Sequence, residues 1–251
     1  MTRTAQEHHN YLIDTYGYEN EDQGFGSGGF LFLDDCMGTD SDVARIARVS
    51  YGEGTKTVND DTALIRRLIK DNHSSPLQQL MIRIFVRAPL YVVAQMRTHR
   101  TFQWAQTNQY SLRYSTPIEE METVAPDKWR AQSPSNKQGS DGFITEWPED
   151  TKPKSNRPIY EQWGPGEFLT ERQHQLQDLA SSVYNERINL GIAREQARID
   201  LPTSNYTELF FTVDLHNLLH FLQLRLDPHA QLEIRELAGA LERIVAAWVP
   251  T

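Results

Sequence analysis

The residue pattern predicts an α+β domain. Three observations lead there. Apolar residues recur at helical spacing over much of the chain, only a few short runs have strand composition, and no internal repeat is present. At 251 residues the chain can bury a substantial core as one domain spanning 1–251. A flexible N-terminal arm is expected over 1–30, where the composition is polar and Gly-rich, and a long polar insertion over 116–165.

In chain order, Thr39 or Asp40 can cap a helix with Val43, Ile46, Ala47 and Ser50 on one side. Asp60-Asp61-Thr62 opens a second helix whose apolar stripe is Leu64, Ile65, Leu68 and Ile69, and Asn72 to Pro76 break it. Leu80 to Val86 reads as a strand. Pro89 suits the first turn of a helix running to about Arg100. After the insertion, a helix is expected from about Gly166 to Ile192, ended before Pro202. FFTVD then reads as a short strand, LHNLLHFLQLRL as a helix, and the segment up to Trp248 as a final amphipathic helix.

Composition narrows the function classes. A formal net charge of −9 argues against a duplex-binding protein. Yet the window from Arg83 to Arg113 holds five arginines and no Asp or Glu, which suggests a local anion site, with a solvated helix face as the plainer alternative. No apolar run approaches the ~20 residues that span a bilayer, and MTRTAQEHHNYL lacks the pattern of a secretory signal. The cytoplasm is the expected location. A single cysteine, Cys36, leaves no intramolecular disulfide.

Three clusters carry chemistry. Gln95-Met96-Arg97-Thr98-His99-Arg100, followed by Ser111-Leu112-Arg113-Tyr114-Ser115, combines forked cationic donors with neutral polar groups and a stacking ring. That mixture suits a nucleotide, although a helix C-terminus decorated with cations accounts for His99 and Arg100. Arg194 and Arg198 lie four apart, so Glu195 cannot neutralise both; a solvated face is the plainer reading of that pair. His216 and His220 have metal-pair spacing, but Asn217 stands where a zinc protease motif has glutamate, and no metal is expected.

These clusters, in this order, resemble the flavin-dependent thymidylate synthases. The resemblance runs without a gap from Ala193 to Ala238 and includes DDCMGTDSDVARIARVSY, HSSPLQQLMIRIFVRAPLYVVAQMRTHR and NQYSLRYS. It implies a central antiparallel sheet flanked by long helices, in a homotetramer whose sites are built from several subunits. It implies FAD as cofactor, NADPH and 5,10-methylenetetrahydrofolate as cosubstrates, and methylation of dUMP or UMP at C5, with neither nucleic acid nor membrane as partner. Carried over by position, Gln95, Gln109, Ser111, Arg113, Arg198 and Arg225 hold the nucleotide. Arg225, facing the uracil edge, together with Ser111 and Arg198, is expected to be catalytic. Ser50, His73, Ser75, His99, Arg100, Thr101, Asp214, His216 and His220 fall at cofactor-contacting positions, and Glu195 at the acidic position beside the flavin pocket.

The departures gather at the ligand contacts. The family's Arg-His-Arg signature reads Thr98-His99-Arg100, and Arg97, about 100° away around a helix, is an imperfect substitute. The loop from Arg100 to Ser111 is longer than the family's. Gln109 and Gln78 replace acidic residues, and Asp214, His216 and His220 replace Asn and Arg or Asn positions. A stretched loop with Thr-His-Arg is similar to the UMP/dUMP C5-methylases of polyoxin-type antibiotic biosynthesis, which implies tolerance of a 2′-hydroxyl. A pyrimidine hydroxymethylase, a catalytically silent flavin- or nucleotide-binding homologue and a single-strand-binding protein stand as alternatives.

Overall fold

Helix starts are set by short-range capping. In the computed structural model, which describes residues 23–50, 60–100, 106–137, 139–152 and 162–250, helix α1 (Asp40–Arg48) begins after Thr39, whose N–H donates to the Asp42 carboxylate at 3.0 Å. Helix α2 (Asp61–Lys70) begins after Asp60, which accepts from the Ala63 N–H at 3.2 Å. It buries Leu64, Ile65 and Leu68, while Ile69, counted in the stripe, is exposed. The break predicted at Asn72 is a left-handed turn: Asn72 has φ 55, and the His73 N–H reaches back to the Leu68 carbonyl at 2.8 Å.

A five-stranded sheet forms the frame for these helices. Its order is β1 (Gln23–Phe25), β2 (Gly29–Met37), β3 (Met81–Pro89), β7 (Tyr206–Asp214) and β4 (Gln106–Gln109). The β1–β2, β2–β3 and β4–β7 pairs are antiparallel. Phe32 lies opposite Phe85 in the β2–β3 register, and their rings stack 4.8 Å apart. Phe30 and Phe210 join Phe85 at 5.9 and 5.2 Å, so one sheet face carries an aromatic cluster. Beside it Arg87, 1% exposed, donates to the Gly28 carbonyl at 2.6 Å and lies 3.8 Å from the Glu208 carboxylate.

The last part of the expected arm is ordered in the sheet. Residues 23–30 enter β1 and β2, because Phe30 belongs to the aromatic cluster; residues 1–22 lie outside the described residues. Helix α3 (Leu90–Thr98) follows β3, and helices α6 (Leu215–Arg225) and α7 (Leu232–Trp248) follow β7. α7 packs on α6, β1 and β2. At its end the Trp248 indole N–H donates to the Gly38 carbonyl at 2.7 Å. No helix among the described residues is long and apolar enough to cross a membrane.

Contacts divide the chain into two compact units. The first comprises the described residues up to Ala88, Val92–Tyr110 and those from Thr207 onward; the second comprises Pro89–Tyr91 and Ser111–Tyr206. The second is built on the long helix α4 (Pro165–Asn189), with a small antiparallel pair, β5 (Arg130–Gln132) and β6 (Ser140–Phe143), and the short helix α5 (Arg194–Ala197). The stretch read as a polar insertion is tied to α4, chiefly through its backbone carbonyls. Gln173 and Gln177 of α4 both donate to the Glu122 carbonyl at 2.9 Å. Thr170 donates to the Val124 carbonyl at 2.8 Å and accepts from the Trp129 indole at 2.9 Å. Composition alone cannot distinguish such a hydrogen-bonded strap from a solvated loop.

Candidate active site

In the first unit, the end of α3 meets α6. His99 is 5% exposed, its ring 5.6 Å from that of His220 and 5.2 Å from that of Phe221. Burial holds the His99 imidazole below its ordinary pKa, with further lowering from the Arg225 charge and from His220. Arg225 ends α6, where a cation complements the helix dipole. Its Nε is buried with no hydrogen-bond acceptor among the described residues. A forked donor so placed suits an acceptor brought by a ligand.

The neighbouring groups are held by their own partners. The Gln95 amide donates to the Gln231 side chain, Gln109 donates to the Thr207 hydroxyl at 3.1 Å, and Asp214 caps α6 by accepting from the Asn217 N–H at 3.0 Å. Thr98 turns back on its own helix, donating to the Gln95 carbonyl at 3.1 Å, and Arg97 donates to Thr107 at 3.1 Å. Arg97 is therefore directed to β4. His216 lies one turn before His220 on α6, Arg100 is exposed, and Thr101 lies outside the described residues. No group of three or more His, Cys, Asp or Glu able to hold a metal occurs among the described residues.

Ser50, His73 and Ser75 come together around a second feature of this unit. They line a cavity of about 750 Å³, walled on its apolar side by Ile46, Ala47 and Leu68. The side of α1 predicted from Val43, Ile46, Ala47 and Ser50 thus supplies part of a cavity wall. Its volume falls in the ordinary range for a cofactor site, and its hydroxyl and imidazole groups can bond a polar, phosphate-bearing ligand such as FAD.

The second unit holds Ser111, Arg113, Glu195 and Arg198. Glu195 lies 3.5 Å from Arg113, both half-exposed. Chain spacing could not reveal that long-range partner. The Arg113 N–H donates to the Ser111 hydroxyl oxygen at 3.3 Å, which leaves the hydroxyl proton for another acceptor. Helix α5 stops at Ala197, and Arg198 opens a 3-10 turn over Arg198–Asp200. Arg194 has a buried nitrogen with no partner among the described residues. Gln231, Thr207 and Thr107, which hold site side chains, carry no motif that sequence reasoning could have used.

The family described as "Thymidylate synthase complementing protein" matches residues 32–251. Flavin-dependent thymidylate synthases from Treponema denticola and Thermus thermophilus are each 40% identical over 222 residues, 88% of this chain and 76% and 73% of theirs. The chain belongs to this family. Among solved structures, the UMP/dUMP methylase PolB from Streptomyces cacaoi, bound with 5-Br dUMP, is similar with a TM-score of 0.71 and 27% identity, covering 88% of this chain and 91% of that one. The same methylase bound with 5-Br UMP gives a TM-score of 0.69. The flavin-dependent thymidylate synthase family therefore accounts for the mixed α/β architecture and its antiparallel sheet.

Proposed function

We propose that this chain methylates C5 of a uridine nucleotide, dUMP and UMP alike, with FAD as cofactor, methylenetetrahydrofolate as one-carbon donor and NADPH as reductant. The observation that carries the reading is the buried, acceptor-free Nε of Arg225 beside His99, in a chain of this family. C5 becomes nucleophilic only as negative charge builds on the uracil carbonyls, and a preorganised cation stabilises that charge. Arg225 is the group for this role. A neutral His99 next to it leaves the positive field concentrated on the guanidinium.

Ser111 would donate its remaining proton to the nucleotide, while Arg113 and Arg198 would neutralise its phosphate. Gln95 and Gln109 would read neutral polar edges. Ser50, His73 and Ser75 would hold FAD, which supplies hydride chemistry when bound. His99, Arg100, Thr101, Asp214, His216 and His220 are proposed as further cofactor contacts. No protein nucleophile is needed. Burial and the neighbouring Asp35 push the thiol of Cys36 up, which keeps it protonated. The assembly proposed is a homotetramer in which several subunits contribute to each site.

Acceptance of UMP rests on the likeness to a methylase solved with both brominated nucleotides and on the altered Thr98, Gln109, His216 and His220. The test is the visible spectrum of the purified protein with FAD, followed by dUMP and UMP and then by turnover. Retained flavin absorbance perturbed by either nucleotide, with 5-methyl product from both, is expected. Turnover of dUMP alone removes the UMP part, and failure to take up FAD removes the whole reading.

A further inference from the structure

The second unit contains a cavity of about 340 Å³ that the catalytic reading does not use, between the irregular segment 116–121 and α4. Two of the residues lining it are Tyr184, 5% exposed, and Asn205, 2% exposed. The Tyr184 hydroxyl and the Asn205 Oδ1 are both buried with no hydrogen-bond partner among the described residues. Leaving such groups unmatched is unfavourable, so they point to a ligand.

Asn205 is firmly placed. Its Nδ2 donates to the Ile118 carbonyl at 3.3 Å, its N–H to the Pro202 carbonyl at 3.0 Å, and its own carbonyl accepts from the Leu90 N–H at 2.9 Å. The bond to Ile118 fixes the amide orientation, because a flipped amide would set two oxygens against each other. Oδ1 is thereby a committed acceptor, whereas the Tyr184 O–H is able to donate. Pro117, Ile118, Met121 and Leu201 supply apolar walls. Among the described residues of the lining, the charged one is Glu119, and neither lysine nor arginine is present.

We propose that this cavity binds a small, uncharged, planar lactam or carboxamide. The ligand N–H donates to Asn205 Oδ1, and its carbonyl accepts from the Tyr184 O–H. The apolar walls hold the ring faces, and Glu119 disfavours an anionic ligand. The site lies within the second unit and includes none of the residues assigned above to nucleotide or cofactor.

Ligand-observed NMR titration of the full chain with thymine, nicotinamide and nicotinate tests this. Thymine and nicotinamide are expected to bind, and nicotinate, which lacks the N–H and carries a negative charge, at least tenfold more weakly. Tyr184→Phe should weaken nicotinamide about tenfold, Met121→Trp should abolish its binding by filling the cavity, and Arg225→Ala should leave it unchanged. The proposal is overturned if the natural chain binds neither amide, if nicotinate binds equally well, or if neither Tyr184→Phe nor Met121→Trp affects binding. It is also overturned if Arg225→Ala removes the binding.

Discussion

The imidazoles of His99 and His220 lie 5.6 Å apart, the first buried and the second exposed. Burial, Arg225 and His220 all lower the His99 pKa, and that fixes the sign of a pH effect. The unfolded chain takes up a proton on this side chain near pH 6.5, whereas the folded chain does so only at lower pH. The contribution to stability is full above about pH 6.5 and is lost as pH falls from there through the folded pKa. Denaturant midpoints measured between pH 7.5 and 5 should fall, with a smaller fall in His99→Gln. An unchanged slope in that variant would refute the assignment.

Removing the Arg225 guanidinium should cost catalysis more than binding. Arg225→Ala is expected to lower kcat by about 10²–10³, and Arg225→Lys to recover only part, since an ammonium keeps the charge without the fork. Steady-state kinetics with dUMP decide this. Activity of Arg225→Ala within tenfold of the natural chain would contradict the proposed role.

Arg97 is engaged with Thr107, so it is not expected to serve as the substitute arginine that the sequence suggests beside Thr98. Arg97→Ala should change kcat/KM less than threefold and stability by no more than about 0.5 kcal/mol. A drop of two orders of magnitude would show that Arg97 reaches the ligands after all.

Phe85 is the shared partner in the aromatic cluster of the sheet. Phe85→Ala should cost about 3–5 kcal/mol, read as a shift in urea midpoint with an unchanged m-value. A loss below about 1 kcal/mol would mean that the sheet closes over the gap.

Gly166, in the first turn of α4, faces the backbone of Pro126, where an added Cβ would sit 1.9 Å from the carbonyl oxygen. Gly166→Ala should destabilise by about 1–3 kcal/mol and perturb the fluorescence of Trp129, whose indole bonds Thr170 on the same helix. Unaltered stability and emission would show that the segment shifts without penalty.

Local signals in the sequence were legible where they act locally. The caps at Thr39 and Asp60, the break at Asn72 and the helices from Leu215 and Leu232 all follow from neighbouring residues. Strand β2 was missed although Phe30 to Leu33 form an apolar run, because its glycine-rich prelude resembles a loose arm. Strand β4, TNQ-rich and exposed, has no strand composition and exists through its ladder with β7. At the site, residue types named Arg225 and His99 by resemblance. The orphaned Arg225 Nε, the Glu195–Arg113 contact and the Gln231 partner of Gln95 depend on long-range packing and have no sequence signature.

The bond from Trp248 to Gly38 closes a separation of 210 positions. At ribosomal rates of about 5–20 residues per second, roughly 10–40 seconds separate the synthesis of Gly38 from that of the tryptophan that bonds to it. During that interval β1 and β2 lack the helix that packs on them in the finished chain. The newborn N-terminal half thus keeps that surface of the sheet uncovered until the last helix has been made.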